Sequence, residues 1–229
     1  MTEELFRKII DELAEMDYSG EIALFSNNEP FLDERIIEFH RYANERLPHA
    51  IFQLFTNGSL LTFEKFMEIM PCLDCLTIDN YNDKMKINTP ELQKIYDYLQ
   101  KKENEELSRR VTFSFRLHNE VLTSRGGQAP NKKGKNDKTV IDVVCPHPFR
   151  QLIIRPTGEI SLCCNDPLGK YTLGDLNTQS IREIWNSEKY SAIRREMFTN
   201  GRKNLSLCRD CDSVFLPVPY AERKRPYLS

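Results

Sequence analysis

The stretch Ile51-Phe-Gln-Leu-Phe-Thr-Asn-Gly58 predicts a short strand followed by a turn. Its first six residues are mostly apolar and rich in β-branched and aromatic side chains, which favours a strand. Asn57-Gly58 is a dipeptide that turns the chain out of a strand. A helical stripe that Pro48 ends lies before this strand, and a further helix is expected near 62–70 after it. A helix on each side of a strand is typical of an α/β fold.

The same alternation extends over the first 116 residues. We expect a helix over 2–17, strands over 21–26, 73–78 and 111–116, and a helix near 90–102. Strands that alternate with helices of this length predict βαβ units and a parallel sheet.

The pattern changes after residue 120. Residues 123–139 contain Gly126-Gly127, Pro130 and Gly134, so they predict a loop, with Lys132, Lys133, Lys135 and Lys138 in solvent. A β-hairpin follows over 151–155 and 159–163, with short helices about 179–185 and 187–199. We therefore expect a first domain at 1–120, a linker at 121–144 and a small α+β domain at 145–229.

Composition excludes several classes of protein. With 40% hydrophobic and 29% charged residues and a net charge of −2, the chain has the balance of a globular protein and no electrostatic case for nucleic acid. No apolar run approaches the ~20 residues that a membrane span needs, and the N-terminus lacks the features of a signal peptide. A cytoplasmic location is therefore expected, where the seven cysteines should be thiols or metal ligands.

Four cysteines in three separated segments predict a metal site. The segments are Cys145-Pro-His-Pro-Phe149, Pro156-Thr-Gly-Glu-Ile-Ser-Leu-Cys-Cys-Asn-Asp166 and Leu207-Cys-Arg-Asp-Cys-Asp212. Structural sites with four cysteines hold zinc or an iron–sulfur cluster. Cys163 and Cys164 are neighbours on a predicted strand and would face opposite sides, so only one of them should be a ligand.

The ordered string of motifs in the last 85 residues resembles the SPASM or Twitch auxiliary-cluster domain of radical SAM enzymes. Its elements are Gly158 with Cys163 after a four-residue gap, Leu173-Gly-Asp-Leu176, Ile181-Arg-Glu-Ile-Trp-Asn-Ser187 and Cys208-Arg-Asp-Cys211. The resemblance implies an auxiliary [4Fe–4S] cluster, with zinc as the alternative metal. The ligands that it implies are Cys145, Cys163, Cys208 and Cys211.

The first half resembles the core of the same enzymes, which is a partial (β/α) barrel. Asn28-Glu-Pro30 stands where the family carries a Gly-Gly-Glu-Pro-like motif, and Thr56-Asn-Gly58 matches a frequent family motif. The resemblance implies that S-adenosylmethionine is bound by Asn28, Glu29, Pro30, Thr56 and Asn57. Three further residues, at strand ends or in a glycine-rich loop, are expected near the substrate: Tyr81, Arg116 and Arg125.

One departure concerns the catalytic cluster. The family signature Cys-x-x-x-Cys-x-x-Cys is absent from the sequence, which begins with what should be the helix after the first barrel strand. We expect that the sequence is truncated, because the other motifs are kept; the alternative is a degenerate relative without radical chemistry. A missing strand would leave an open sheet edge, which favours pairing with a protein partner.

The function that the resemblance implies is that of a radical SAM oxidoreductase or maturase. A 5′-deoxyadenosyl radical would abstract a hydrogen atom from the alcohol of a sugar or aminocyclitol, or from a peptide, and the auxiliary cluster would accept an electron or anchor the substrate. Whether the chain is itself an enzyme depends on the missing cluster ligands. The alternative is a non-catalytic metal-binding module or a degenerate partner protein.

Overall fold

The structure is a computed structural model that describes residues 1–120, 122–129 and 143–213. These residues form two compact units. The sheet unit contains residues 14–120, and the cysteine unit contains residues 1–13 together with the described residues that follow 121. The four lysines of the predicted linker lie outside the described residues.

The helices and strands follow one another along the chain in a regular order. They are α1 (Glu3–Glu15), β1 (Glu21–Ile22), α2 (Ile36–Arg46), β2 (Ile51–Thr56), α3 (Phe63–Ile69), β3 (Cys75–Tyr81), α4 (Pro90–Leu99), α5 (Glu105–Ser108), β4 (Val111–Arg116), α6 (His147–Arg150), β5 (Ile153–Ile154), β6 (Glu159–Ser161), β7 (Thr172–Asp175), α7 (Ile181–Trp185) and α8 (Glu188–Asn200). Short 3₁₀ turns lie at Pro30–Leu32, Met70–Cys72, Lys102–Asn104 and Cys208–Asp210.

The sheet unit confirms the predicted α/β fold. Its four strands are parallel and lie in the order β1-β2-β3-β4, which is a partial (β/α) barrel that does not close. Alternate residues of β2 and β3 are buried, and Phe52, Leu54, Leu76 and Ile78 are fully enclosed. One face of these strands therefore forms the core, and the other face is more exposed.

Strand β1 is much shorter than the sequence predicts. The apolar run over 21–26 pairs with β2 only at Glu21 and Ile22, so the prediction is wrong beyond Ile22. Among the described residues β1 is an edge strand, and an edge strand has ladder partners on one side only. The protein partner expected along this edge stays a prediction.

The cysteine unit contains a three-stranded antiparallel sheet in the order β5-β6-β7. The predicted hairpin is confirmed, although its strands are shorter than expected. Strand β7 was not predicted. Helix α7 begins with a capping box in which Ser180 and Glu183 exchange side-chain and backbone hydrogen bonds, and this explains its well-defined start.

Helix α1 is anchored on the cysteine unit by its polar side chains. Lys8 donates to the backbone carbonyls of Leu176 and Gln179. Glu12 accepts a hydrogen bond of 2.7 Å from the backbone N–H of Ile181, at the first turn of α7. The predicted domain at 1–120 included this helix, whereas its contacts assign residues 1–13 to the cysteine unit. No described helix is both long and apolar enough to cross a lipid bilayer.

Candidate functional site

Four cysteines from three segments line one cavity in the cysteine unit. Cys145 precedes α6, Cys163 follows β6, and Cys208 and Cys211 lie in and directly after the last 3₁₀ turn. The cavity that they line has a volume of about 20 Å³. The other lining residues are His147, Asn165, Arg202, Leu207 and Ser213. The fold therefore brings together the four thiols that the sequence singles out.

The environment of two of these thiols, Cys163 and Cys208, disfavours their ionisation when no metal is bound. Burial raises the pKa of Cys163, and the neighbouring Cys164, Cys208 and Cys145 raise it further. Burial likewise raises the pKa of Cys208 to about 12, with contributions from Cys145 and Cys211. Thiols in such a site must lose protons when they become metal ligands.

Arg202 places a buried positive charge at the same cavity. Its side chain is 1% exposed, and its Nη1 donates 2.7 Å to the backbone carbonyl of Ser213 and 3.4 Å to that of Cys211. Among the described residues its Nε has no hydrogen-bond partner. A buried cation needs a compensating anion or good acceptors. Four thiolates around an anionic metal cluster would provide that compensation, so this donor set fits an iron–sulfur cluster.

Two acidic residues hold the loop of residues 122–129 against the cysteine segments. The carboxylate of Asp212, next to Cys211, accepts hydrogen bonds of 2.9–3.0 Å from the backbone N–H and the hydroxyl of Ser124. Asp166 is 1% exposed and accepts 2.7 Å from the side-chain amide of Gln128. Arg125 lies between these two anchors, with a left-handed φ of 48°.

In the sheet unit, Glu29 joins the loop after β1 to the carboxyl end of β2. One carboxylate oxygen accepts 2.7 Å from the hydroxyl of Thr56, and the other accepts 2.7 Å from the backbone N–H of Asn57. The first oxygen also accepts 3.2 Å from the N–H of Phe31. Ligands of open α/β sheets bind at this carboxyl edge.

The remaining residues that are predicted to bind S-adenosylmethionine lie beside this carboxylate. Asn28 accepts 3.2 Å from the backbone N–H of Ser26, and the buried Pro30 starts the 3₁₀ turn. An open depression in the surface runs past Asn28 and Glu29 to Arg35. The structure thus brings the five predicted residues to one edge of the sheet.

Comparisons with known proteins match one part of the chain to a family and most of the chain to an enzyme. A model of the SPASM family, described as an iron–sulfur cluster-binding domain, matches residues 145–212. The S-adenosyl-L-methionine-dependent 2-deoxy-scyllo-inosamine dehydrogenase of Niallia circulans is 24% identical over 214 residues, which are 92% of this chain and 80% of that protein. Residues 145–212 therefore match the SPASM domain, and most of the chain is similar to this S-adenosyl-L-methionine-dependent dehydrogenase.

Two solved structures are similar to this chain in fold. The crystal structure of BtrN in complex with AdoMet and 2-DOIA superposes with a TM-score of 0.77 at 22% identity, over 95% of this chain and 82% of that one. Native anSMEcpe with bound AdoMet gives a TM-score of 0.54 at 13% identity, over 99% of this chain and 87% of that one.

Within the SPASM domain, the choice between the two adjacent cysteines stays a prediction. Cys163 is buried and lines the cavity, whereas Cys164 is half-buried and lies close enough to Gln151 and Arg125 for both to lower its pKa against the effect of burial. Among the described residues, no three His, Cys, Asp or Glu side chains stand at the spacing of a single bound metal ion.

The three predicted substrate residues fall in different units. Tyr81 and Arg116 are register partners on β3 and β4, with the guanidinium carbon 5.8 Å from the ring centroid. Two hydrogen bonds from Arg116 to Glu120, of 2.8 and 3.0 Å, raise the pKa of the arginine, and Asp79 lies 3.6 Å away. Arg125 belongs to the cysteine unit. Their role in substrate binding stays a prediction.

Sequence reasoning missed the residues that complete the metal cavity and its loop. Arg202 could not be predicted, because no sequence motif connects it with the cysteines. Asp212 directly follows the last cysteine, but its bond to Ser124 leaves no signal in the sequence, because the two residues are 88 positions apart.

Proposed function

We propose that this chain is a radical SAM oxidoreductase whose SPASM domain holds one auxiliary [4Fe–4S] cluster on Cys145, Cys163, Cys208 and Cys211. The observation that carries this proposal is the convergence of these four thiols on one cavity, inside the segment that the SPASM model matches. The buried guanidinium of Arg202 supports it, because that charge calls for an anion in the same cavity.

S-adenosylmethionine would bind at the edge of the sheet that Glu29 braces. The carboxylate fixes the positions of Thr56 and of the Asn57 backbone, and its remaining lone pairs can accept a hydrogen bond from an ammonium group. When bound, the cofactors supply a carbon radical that abstracts hydrogen and an iron centre that takes up an electron. The protein holds the reactants in position and excludes water.

The proposed substrate is an alcohol on a polyhydroxylated ring that carries an amino group. This proposal rests on the Niallia circulans dehydrogenase and on the complex of BtrN with AdoMet and 2-DOIA. A peptide substrate is the second candidate, because anSMEcpe has been crystallised with bound peptides, although its fold is less similar. Arg125 would contact the substrate, since two acidic anchors hold its loop at the cysteine segments. Hydrogen abstraction would take place only if the cluster of the Cys-x-x-x-Cys-x-x-Cys motif, which these 229 residues do not contain, is supplied.

The test is metal analysis after anaerobic reconstitution with iron and sulfide. About four irons and four sulfides per chain are expected for one [4Fe–4S] cluster. Cys208→Ala should lose most of this iron, whereas Cys72→Ala should keep it, because Cys72 is a buried cysteine of the sheet unit. About one zinc without sulfide would instead match a structural four-cysteine site and a non-catalytic interaction module. Full iron content in Cys208→Ala would show that the ligand set is wrong.

A further inference from the structure

We propose that Arg202 is the internal counter-cation of the auxiliary cluster and that its charge raises the reduction potential of that cluster. The proposal rests on the proposed function of the four cysteines, and it assigns to this cavity a residue that sets its redox property. Arg202 is a positioning and electrostatic residue and not a ligand.

The first observation is the depth at which the charge is buried. Arg202 is among the largest fully buried side chains of the described residues, with 1% of its surface exposed. Other arginines, such as the exposed Arg195 with Glu188, form ion pairs with carboxylates. None of the ion pairs found in the described part of the chain includes Arg202. Burying an isolated guanidinium is costly, so its anion must come from elsewhere.

The second observation is the direction in which the guanidinium can still donate. Nη1 is committed to the carbonyls of Ser213 and Cys211, which are neutral acceptors. Nε is buried and unsatisfied among the residues that the structure describes. Because Arg202 lines the cavity together with the four cysteines, an anionic group held by their sulfurs is the acceptor that the site lacks.

The third observation concerns the other polar groups at the cavity, as the structure describes it. Apart from the cysteines, the polar lining residues are His147, Asn165 and Ser213, and Arg202 is the one lining side chain that carries a permanent charge. Asn165 and Ser213 bond to each other at 3.1 Å. The buried carboxylate of Asp166 also lies close to Cys208, but it accepts hydrogen bonds from Gln128 and from the backbone N–H groups of Lys170 and Tyr171.

The redox consequence follows from the charge balance of one electron. Reduction adds one negative charge to the cluster and none to Arg202, so a fixed cation stabilises the reduced form more than the oxidised form. This interaction is strong where water is excluded. Net charge and hydrogen bonds to sulfur are among the factors that set iron–sulfur potentials. Removal of the guanidinium should therefore make the cluster harder to reduce.

The experiment compares the reconstituted wild type with Arg202→Met, Arg202→Lys and the matched control Arg195→Met. Iron and sulfide are counted first, and each protein is then titrated with dithionite in the presence of mediators while the EPR signal of the reduced cluster is followed. For Arg202→Met the equilibrium constant for reduction should fall about tenfold, a shift of about 59 mV for one electron. Arg202→Lys should retain most of the wild-type potential.

Arg195→Met should leave the potential unchanged, because this side chain is exposed and screened by solvent. The proposal is overturned if the cluster in Arg202→Met has the wild-type reduction potential. It is also overturned if Arg202→Lys shifts the potential as far as Arg202→Met does, because the shape of the side chain and not its charge would then set the potential. If Arg202→Met binds no cluster, retention by Arg202→Lys supports the proposal and loss by both variants overturns it. A wild type without iron and sulfide would refute the proposed function itself.

Discussion

Replacing Gly126 by alanine tests whether the loop of residues 122–129 presses on the segment that carries Cys208. Gly126 has a φ of +62°, and an added Cβ would lie 2.5 Å from Cδ1 and 2.9 Å from the backbone oxygen of Leu207. The neighbouring Gly127 is a matched control. It has a φ of +79°, but its Cβ would meet nothing nearer than Cβ of Asp210 at 3.6 Å.

The expected free energies of unfolding separate conformational strain from steric overlap. Both alanines enter the left-handed region, which costs roughly 1–2 kcal/mol for a residue with a Cβ. Gly126→Ala also overlaps a backbone carbonyl that cannot rotate away, and overpacking of this kind costs roughly 1–3 kcal/mol more. The difference between the two variants is therefore about 1–3 kcal/mol and comes from the contact with Leu207 alone.

The assay is thermal unfolding of the reconstituted proteins at one scan rate, with iron content measured in parallel. In a chain of this size 1 kcal/mol corresponds to about 2–4 °C, so Gly126→Ala should unfold about 2–12 °C below Gly127→Ala. It should also release iron more readily, because Leu207 directly precedes the predicted ligand Cys208. Equal unfolding temperatures and equal iron retention in the two variants would refute the close packing of this loop.

Two further predictions concern the sheet unit. Burial lowers the pKa of His40 to about 4 from an unfolded value near 6.5. Between pH 7 and pH 5 the free energy of unfolding of the wild type should therefore fall by about 1–2 kcal/mol more than that of a His40→Leu variant. Urea unfolding at both pH values measures this difference, with the exposed His49→Gln as the control, and a parallel pH response in wild type and His40→Leu would contradict the prediction. Glu29→Ala should lower the free energy of unfolding by about 1–3 kcal/mol, because it leaves the backbone N–H of Asn57 and the hydroxyl of Thr56 without their acceptor. Glu29→Gln should lower it less, and calorimetric titration should show weaker binding of S-adenosylmethionine by the alanine variant. Unchanged stability and unchanged binding would contradict the role of Glu29.

The extent to which the fold could be predicted differs between elements. Strands β2, β3 and β4 were visible in the sequence because each is a compact apolar run that alternates with a helical stripe. Strand β7 was missed because it has four residues and includes Gly174, whose added Cβ would lie 2.6 Å from Ile184. Such a short strand depends on pairing with its neighbours and on close packing. These interactions do not appear in the sequence as an alternation of apolar and polar residues.

The sequence by itself determined the α/β class, the family motifs and the four cysteines, because hydrophobic period and ligand spacing are local properties of the chain. Only the tertiary structure decided which groups share the cavity with those cysteines. Arg202 reaches it through bonds to backbone carbonyls of Cys211 and Ser213, and Ser124 reaches Asp212 across 88 positions of the chain. Such contacts depend on how distant segments pack, and no local spacing encodes them.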